Sequence, residues 1–149
     1  MLESLASFDE LTLGQQFEFG SFSLNQAEII AYAEKFDPQP FHIDPEAAKA
    51  APLFGGLVAS GLHTMGACFG LIMGSGLFRA ISLGGSEVNT RWPAPLRPDE
   101  TITVAGAVET LKPSRSKPEM GVVVMRYTGT RLADETVVIE MTATHFFKR

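Results

Sequence analysis

The spacing of hydrophobic positions in the first third of the chain predicts one strand followed by short helices. Gln16–Phe22 alternates apolar and polar residues, which is typical of a β-strand with one buried face. Ser23, with Gln26 three residues later, has the form of a capping box and predicts a helix start. We expect that helix to end at Phe36, because the proline after Asp37 forces Asp37 out of the α region.

Two more helix starts precede residue 78. Asp44-Pro45-Glu46 combines an acidic cap, a proline in the first position and an acidic first turn, which predicts a short helix ending before Pro52. Residues 50–78 contain no Asp, Glu, Lys or Arg and include an apolar helix from about Ser60 to Gly74. This stretch is long enough to cross a bilayer. Its seven glycines, its proline and the lack of a flanking basic cluster favour instead a helix wrapped by its own chain.

Glycines recur every four residues along that apolar helix, at Gly66, Gly70 and Gly74. This spacing places them on one face, where a sheet could approach the helix backbone closely. Because an interior glycine costs about 1 kcal/mol relative to alanine, we expect tertiary packing on this face to offset the loss.

Beyond residue 78 the chain is rich in Val, Ile, Thr and aromatic residues, with breaks at prolines and at Ala133-Asp134-Glu135. Four long segments with short connections predict a meandering antiparallel sheet; they are Ile81–Trp92, Thr101–Leu111, Met120–Leu132 and Thr136–Phe147. The expected fold class is therefore α+β. We predict one domain, residues 1–149, in which a long curved antiparallel sheet wraps around the apolar central helix.

Composition excludes several classes of protein. With 149 residues, 45% of them hydrophobic, the chain can form one folded core and does not have the composition of a disordered protein. The 12 basic residues are scattered and the net charge is −5, which argues against nucleic-acid binding. A single cysteine, Cys68, excludes a disulfide framework and a Cys-rich metal site. Residues 1–10 are acidic and do not resemble a signal peptide, so we expect a cytoplasmic protein that does not enter a membrane.

Two short segments could carry chemistry. Asp37 and His42 lie five residues apart, with two prolines between them that stiffen the backbone. An imidazole and a carboxylate held in this way suit acid–base catalysis, although Asp37 could simply cap a turn while His42 fills a gap. Ser60 and Gly61 lie at the start of the apolar helix, where free N–H groups could bind a carbonyl oxygen that gains negative charge. The alternative is that Ser60 is an ordinary N-cap.

Together these segments resemble a known family. Asp37-Pro38-Gln39-Pro40-Phe41-His42, followed by Gly56-Leu57-Val58-Ala59-Ser60-Gly61, is similar to the motifs of the MaoC-like dehydratases, which are hot-dog-fold relatives of the (R)-specific enoyl-CoA hydratases. The family motif usually reads Asp-x-Asn-Pro-aliphatic-His, so Gln39 and Phe41 depart from it. Ser60 stands where characterised hydratases often have His or Gln.

The resemblance implies a role for each matching residue. His42 is expected to act as general base on a water, and Asp37 to hold that water and relay a proton to the substrate α-carbon. The Gly61 amide would polarise the thioester carbonyl. The implied reaction is the reversible hydration of a trans-2-enoyl thioester to its (R)-3-hydroxyacyl thioester, which needs no metal or redox cofactor.

The substrate and partner predictions are less direct. Ser60 and Phe41 are expected at the substrate, and Arg91 at the phosphates of CoA, with a surface salt bridge as the alternative for Arg91. The substrate is expected to be a thioester of CoA or of acyl carrier protein. His63, His145 and Cys68 are expected to be structural, because His63 and Cys68 fall within the apolar helix and His145 within the last strand.

A sheet curled around one helix leaves an open edge, which predicts a homodimer or a higher multiple. Two other functions stay open: a hot-dog acyl-CoA thioesterase, and a non-catalytic acyl-thioester binding or scaffold protein.

Overall fold

The computed structural model describes residues 1–149. The helices are a 3₁₀ turn at Phe8–Glu10 and four α-helices, α1 (Gln26–Phe36), α2 (Pro40–Ile43), α3 (Pro45–Ala48) and α4 (Gly61–Gly74). The strands are β1 (Gln16–Ser23), β2 (Ser82–Arg91), β3 (Thr101–Pro113), β4 (Met120–Arg131) and β5 (Val137–Lys148).

The five strands form one antiparallel sheet in the order β1-β3-β4-β5-β2. Buried and less buried residues alternate along β3, β4 and β5, so each of these strands contributes one face to the core. The register shifts in every strand pair, for example between Val108 and Thr110 on β3, and such bulges bend a strand. The predicted strands and the α+β class are confirmed.

Helix α4 covers the sheet with one face only. Thr64, Cys68 and Ile72 are its buried residues, and the helix packs against β1 and β3. The opposite face carries the three glycines and leaves Leu62 and Met73 43% and 40% exposed. The predicted arrangement of the sheet around this helix is confirmed, whereas the expected burial of the whole helix is not, because the face away from the sheet stays exposed in the single chain. No helix of the structure has the length and apolar character needed to cross a bilayer.

The glycine stripe of α4 does not lie against the sheet, so that prediction is wrong. A Cβ atom added at Gly66, Gly70 or Gly74 would meet no atom within 4 Å. The spacing correctly placed the three glycines on one face, but spacing carries no information on which face turns toward the sheet. The larger side chains at Cys68 and Ile72 take the core side.

The start of α1 also differs from the prediction. Its N-cap is Asn25, and the capping box is completed by Glu28, whereas Ser23 ends β1. Ser23 and Asn25 both have a short polar side chain that can cap a helix. Strand β1 extends one residue further than predicted and so includes Ser23. The end of α1 at Phe36 is confirmed.

Candidate active site

The residues of the two sequence motifs meet at a cavity of about 620 Å³ beside the N-terminus of α4. Five of the six predicted site residues line it: Asp37, Phe41, His42, Ser60 and Gly61. The segment before α4 and the loop that follows β2 complete the walls. More than half of the lining residues are hydrophobic, so the polar groups of the motifs face an otherwise apolar space.

His42 is held in one orientation and one tautomer. It lies in the one-turn helix α2, which begins at Pro40, and it is 5% exposed. Its Nδ1 donates a hydrogen bond to the Val58 carbonyl oxygen at 2.7 Å, because a carbonyl can only accept. In the neutral ring Nε2 therefore carries a free lone pair. This atom lies 3.4 Å from Oδ2 of Asp37.

Asp37 is an ionised carboxylate fixed at both oxygens. It caps the C-terminus of α1, where its N–H bonds to the Ala33 carbonyl. Gln39 Nε2 donates to Oδ1 at 2.7 Å, and Ser60 Oγ donates to Oδ2 at 2.7 Å. The Ser60 hydrogen bond is the main cause that lowers the pKa of Asp37, helped by Gln39 and His42 and opposed by desolvation.

Gly61 is the first residue of α4, and its N–H makes no hydrogen bond within the chain. The N-terminus of a helix carries a partial positive charge, so this amide can bind a polarised carbonyl. Trp92 covers the same residue, since its Nε1 donates to the Gly61 carbonyl oxygen at 2.9 Å. A Cβ at position 61 would lie 2.6 Å from Trp92 Cε2, so any larger residue there has to displace the indole.

Arg91 lies outside this cavity. Its guanidinium pairs with Glu140 on the neighbouring strand β5, which is the surface ion pair weighed as the alternative. A role for Arg91 at the CoA phosphates therefore stays a prediction without a contact in the site to support it.

Sequence reasoning missed two members of the site. Gln39 holds Asp37, and Trp92 covers Gly61. The signal for Gln39 was its place between Asp37 and His42, and the signal for Trp92 was that it is the only tryptophan. The cavity also has an aromatic wall where Phe41 packs on Phe54, with ring centroids 5.3 Å apart.

The remaining histidines and the cysteine do not line the cavity. His63 stacks on Tyr32 with ring centroids 4.3 Å apart, and its pKa is lowered by burial. His145 is buried on β5, where its Nε2 lies 2.9 Å from the Tyr127 hydroxyl. Burial raises the pKa of the Cys68 thiol to about 12, which keeps it protonated and unreactive. No cluster of three or more His, Cys, Asp or Glu residues is placed to hold a metal ion.

The fold and the site together define a class. One antiparallel sheet over one central helix is the hot-dog arrangement, and here a histidine and a carboxylate lie together beside the N-terminus of that helix. Residues 9–142 match the family described as "MaoC like domain", and the chain belongs to that family. The resemblance found in the sequence is thereby confirmed.

Relatives of the chain agree with this assignment. The crystal structure of the MaoC-like dehydratase from Rhodospirillum rubrum superposes with a TM-score of 0.88 and is 36% identical, covering 96% of this chain and 97% of that one. The uncharacterized protein YdeM of Bacillus subtilis (strain 168) is 32% identical over 76% of this chain and 79% of its own length. The R-hydratase PhaJ1 from Pseudomonas aeruginosa shares the fold, with a TM-score of 0.73 and 18% identity over 97% and 86% of the two chains.

Proposed function

We propose that the protein is a hydratase/dehydratase that interconverts a trans-2-enoyl thioester and its (R)-3-hydroxyacyl thioester. The observation that carries the proposal is the pair formed by His42 Nε2 and Asp37 Oδ2, 3.4 Å apart at the cavity. Membership of the MaoC-like family and the likeness to the Rhodospirillum rubrum dehydratase support the same class of reaction.

The pair is suited to binding and activating one water molecule. When His42 is in its neutral form and Asp37 is ionised, both facing atoms are hydrogen-bond acceptors, and a water can donate one hydrogen to each. His42 Nε2 takes a proton as the water oxygen bonds to the β-carbon and the C=C electrons move toward the thioester. The proton then passes from Nε2 through Asp37 Oδ2 to the α-carbon, which returns both groups to their starting state.

The N-terminus of α4 supports the electrophilic half of the reaction. As the nucleophile adds, negative charge develops on the thioester oxygen, and the unpaired N–H of Gly61 is a fixed donor for it. The hydrophobic side chains that line the cavity lower the local dielectric constant, which strengthens such a hydrogen bond. The acyl group would lie against the aromatic wall of Phe41, and the thioester would belong to CoA or to acyl carrier protein.

The test measures the enoyl absorbance and the release of free thiol in one incubation of the protein with crotonyl-CoA. We expect the enoyl absorbance to fall without release of free thiol. Thiol release would instead support the thioesterase, which cleaves the C–S bond. No change in either reading, repeated with longer and branched enoyl-CoA substrates, would support the non-catalytic binding protein.

The acid–base roles are tested by Asp37→Asn and His42→Gln. Each change should lower the rate by about 10²–10⁴-fold, as expected for a general acid or base. Glutamine suits position 42 better than alanine, because His42 is buried and glutamine can still donate to the Val58 carbonyl. Thermal unfolding serves as the control, and a variant that folds and keeps more than about a tenth of the wild-type rate would contradict its assigned role.

The assembly that we propose is a homodimer. Strand β2 pairs with β5 on one side only, and nearly all of its residues are exposed, including Val88. Next to it lies the uncharged exposed face of α4, with Leu62 and Met73 among the glycines. A second copy adding its own β2 would cover both the open edge and this face.

A further inference from the structure

Both members of the acid–base pair are anchored to one buried segment of three residues, Val58–Ser60. His42 donates to the Val58 carbonyl and Asp37 accepts from the Ser60 hydroxyl, each at 2.7 Å. The segment is itself fixed, because Val58 N–H donates to the Phe41 carbonyl at 3.1 Å and Ala59 N–H donates to the Leu96 carbonyl at 2.8 Å. Its residues are at most 7% exposed.

Within this segment the hydroxyl of Ser60 both accepts and donates a hydrogen bond. As the N-cap of α4 it accepts from the N–H of Leu62 at 3.3 Å, which directs its own hydrogen away from the helix. That hydrogen goes to Asp37 Oδ2, the same oxygen that faces His42. Ser60 is 1% exposed, so its donor and one of its two acceptor positions are already used inside the protein.

We infer that Ser60 is a positioning residue for Asp37 and not a substrate contact: it links the carboxylate to the N-terminus of α4 and fixes which oxygen meets the water. Gln39 fixes the other oxygen, so the carboxylate cannot rotate without breaking two hydrogen bonds. The effect of Ser60 on catalysis rests on the proposed hydration. The hydrogen bond between Ser60 and Asp37 is a property of the folded protein and does not depend on that reaction.

The lowered pKa of Asp37 agrees with this arrangement, because the Ser60 hydrogen bond is its largest cause. The groups that act on the Asp37 carboxylate are few. His42 on α2 is the titratable one, and Ser60 and Gln39 are neutral. Removing the Ser60 hydroxyl leaves His42 and Gln39 in place, so the pKa of Asp37 should move up toward its ordinary value.

The test compares Ser60→Gly, Ser60→Ala and Ser60→Thr. Glycine is itself a preferred N-cap, so Ser60→Gly removes the hydroxyl while it disturbs the helix little. For Ser60→Gly and Ser60→Ala we expect kcat to fall by about 10–100-fold, as for a reacting group displaced by up to 1 Å, with KM nearly unchanged. Ser60→Thr keeps the hydroxyl and should restore most of the rate.

The matched control is Asn25→Ala, which removes the side-chain cap of the other long helix, away from the cavity. It should leave kcat unchanged, and an equal loss of kcat in this control would mean that reduced helix stability explains the result. A raised KM with unchanged kcat in Ser60→Gly would make Ser60 a substrate contact and overturn the inference.

A second reading does not depend on turnover. The chain has five aspartates, so ¹³C-labelled aspartate gives few carboxyl signals, and Asp37→Asn identifies the one that belongs to Asp37. Its titration should move to higher pH in Ser60→Gly and return in Ser60→Thr. An unchanged titration overturns the link, even if the wild type hydrates enoyl thioesters. If the wild type shows no hydration but the titration shifts, the proposed reaction fails while the structural link holds.

Discussion

Replacing Gly61 by alanine tests whether Trp92 and the helix N-terminus form one functional unit. The added Cβ would lie 2.6 Å from Trp92 Cε2, whereas carbon atoms approach to about 3.5–4.0 Å, so the indole has to move by about 1 Å. This movement breaks the hydrogen bond from Trp92 Nε1 to the Gly61 carbonyl. Losing that bond costs about 1 kcal/mol, and the better helix propensity of alanine offsets part of this cost, since Gly61 is the first residue of the helix.

The expected result is therefore a large effect on activity with a small effect on stability. Displacing a wall of the cavity by about 1 Å should lower kcat/KM by about 10²-fold. Trp92 is the only tryptophan, so its fluorescence emission reports directly on the position of the indole. The assay combines emission spectra, thermal unfolding and hydration kinetics on the same preparation of Gly61→Ala.

A double-mutant cycle separates the two ways in which the Cβ could act. In a Trp92→Ala background the Cβ has no indole to displace, so a further Gly61→Ala change should have little effect on the rate. If the rate still falls as far as in the wild-type background, the Cβ blocks the thioester carbonyl directly. Unchanged emission together with unchanged kcat/KM for Gly61→Ala would refute the reasoning about both residues.

Three further predictions concern groups outside the cavity. Burial lowers the pKa of His145 to about 4 from an ordinary value near 6.5, so the unfolded state binds more protons between these values. Lowering the pH from 7 to 5 should therefore reduce the free energy of unfolding of the wild type. This reduction should be about 2 kcal/mol larger than the reduction in His145→Gln, with both proteins measured by chemical denaturation. Because the pKa of Cys68 is about 12, Ellman's reagent at pH 8 should label the denatured chain but not the folded one, and fast labelling of the folded protein would contradict its burial. Gly70→Glu places a charge on the exposed apolar face of α4 and should convert the proposed dimer to a monomer in sedimentation, whereas a dimer mass that does not change would exclude this face from the interface.

Local patterns in the sequence predicted most of the fold, because strand alternation and proline breaks act over a few residues. The end of α1 at Phe36 and the short helix capped by Asp44 follow from such local rules. The first N-cap was placed at Ser23 and not at Asn25, because both residues can cap and the choice depends on where β1 stops pairing with β3. The outward orientation of Gly66 depends on which face of α4 the sheet covers, and this is a long-range property.

The candidate site was predictable where its residues share a motif and unpredictable where they meet only in the folded chain. Asp37 and His42 lie five residues apart, and their proximity is partly imposed by the prolines between them. Ser60 meets Asp37 across 23 residues and Trp92 meets Gly61 across 31. No spacing rule covers such distances. The sequence therefore indicated the two groups that we propose to react, whereas the groups that hold them were found only in the structure.

The N-terminus of α4 serves two negative charges at once in the proposed reaction. Its partial positive charge acts on Asp37 through the Leu62 N–H and the Ser60 hydroxyl, and on the thioester oxygen through the Gly61 N–H. Both charges are stabilised by the same helix end, and both lie at the same cavity. While Asp37 is ionised the two negative charges repel each other, so each raises the energy of the other. In the proposed sequence of steps, His42 holds the proton while charge builds up on the thioester oxygen, so the imidazolium is the positive charge that offsets both negative charges at this stage. Delivery of this proton through Asp37 to the α-carbon then removes the charge on the thioester and leaves His42 neutral and Asp37 ionised, which ends the competition for the helix N-terminus.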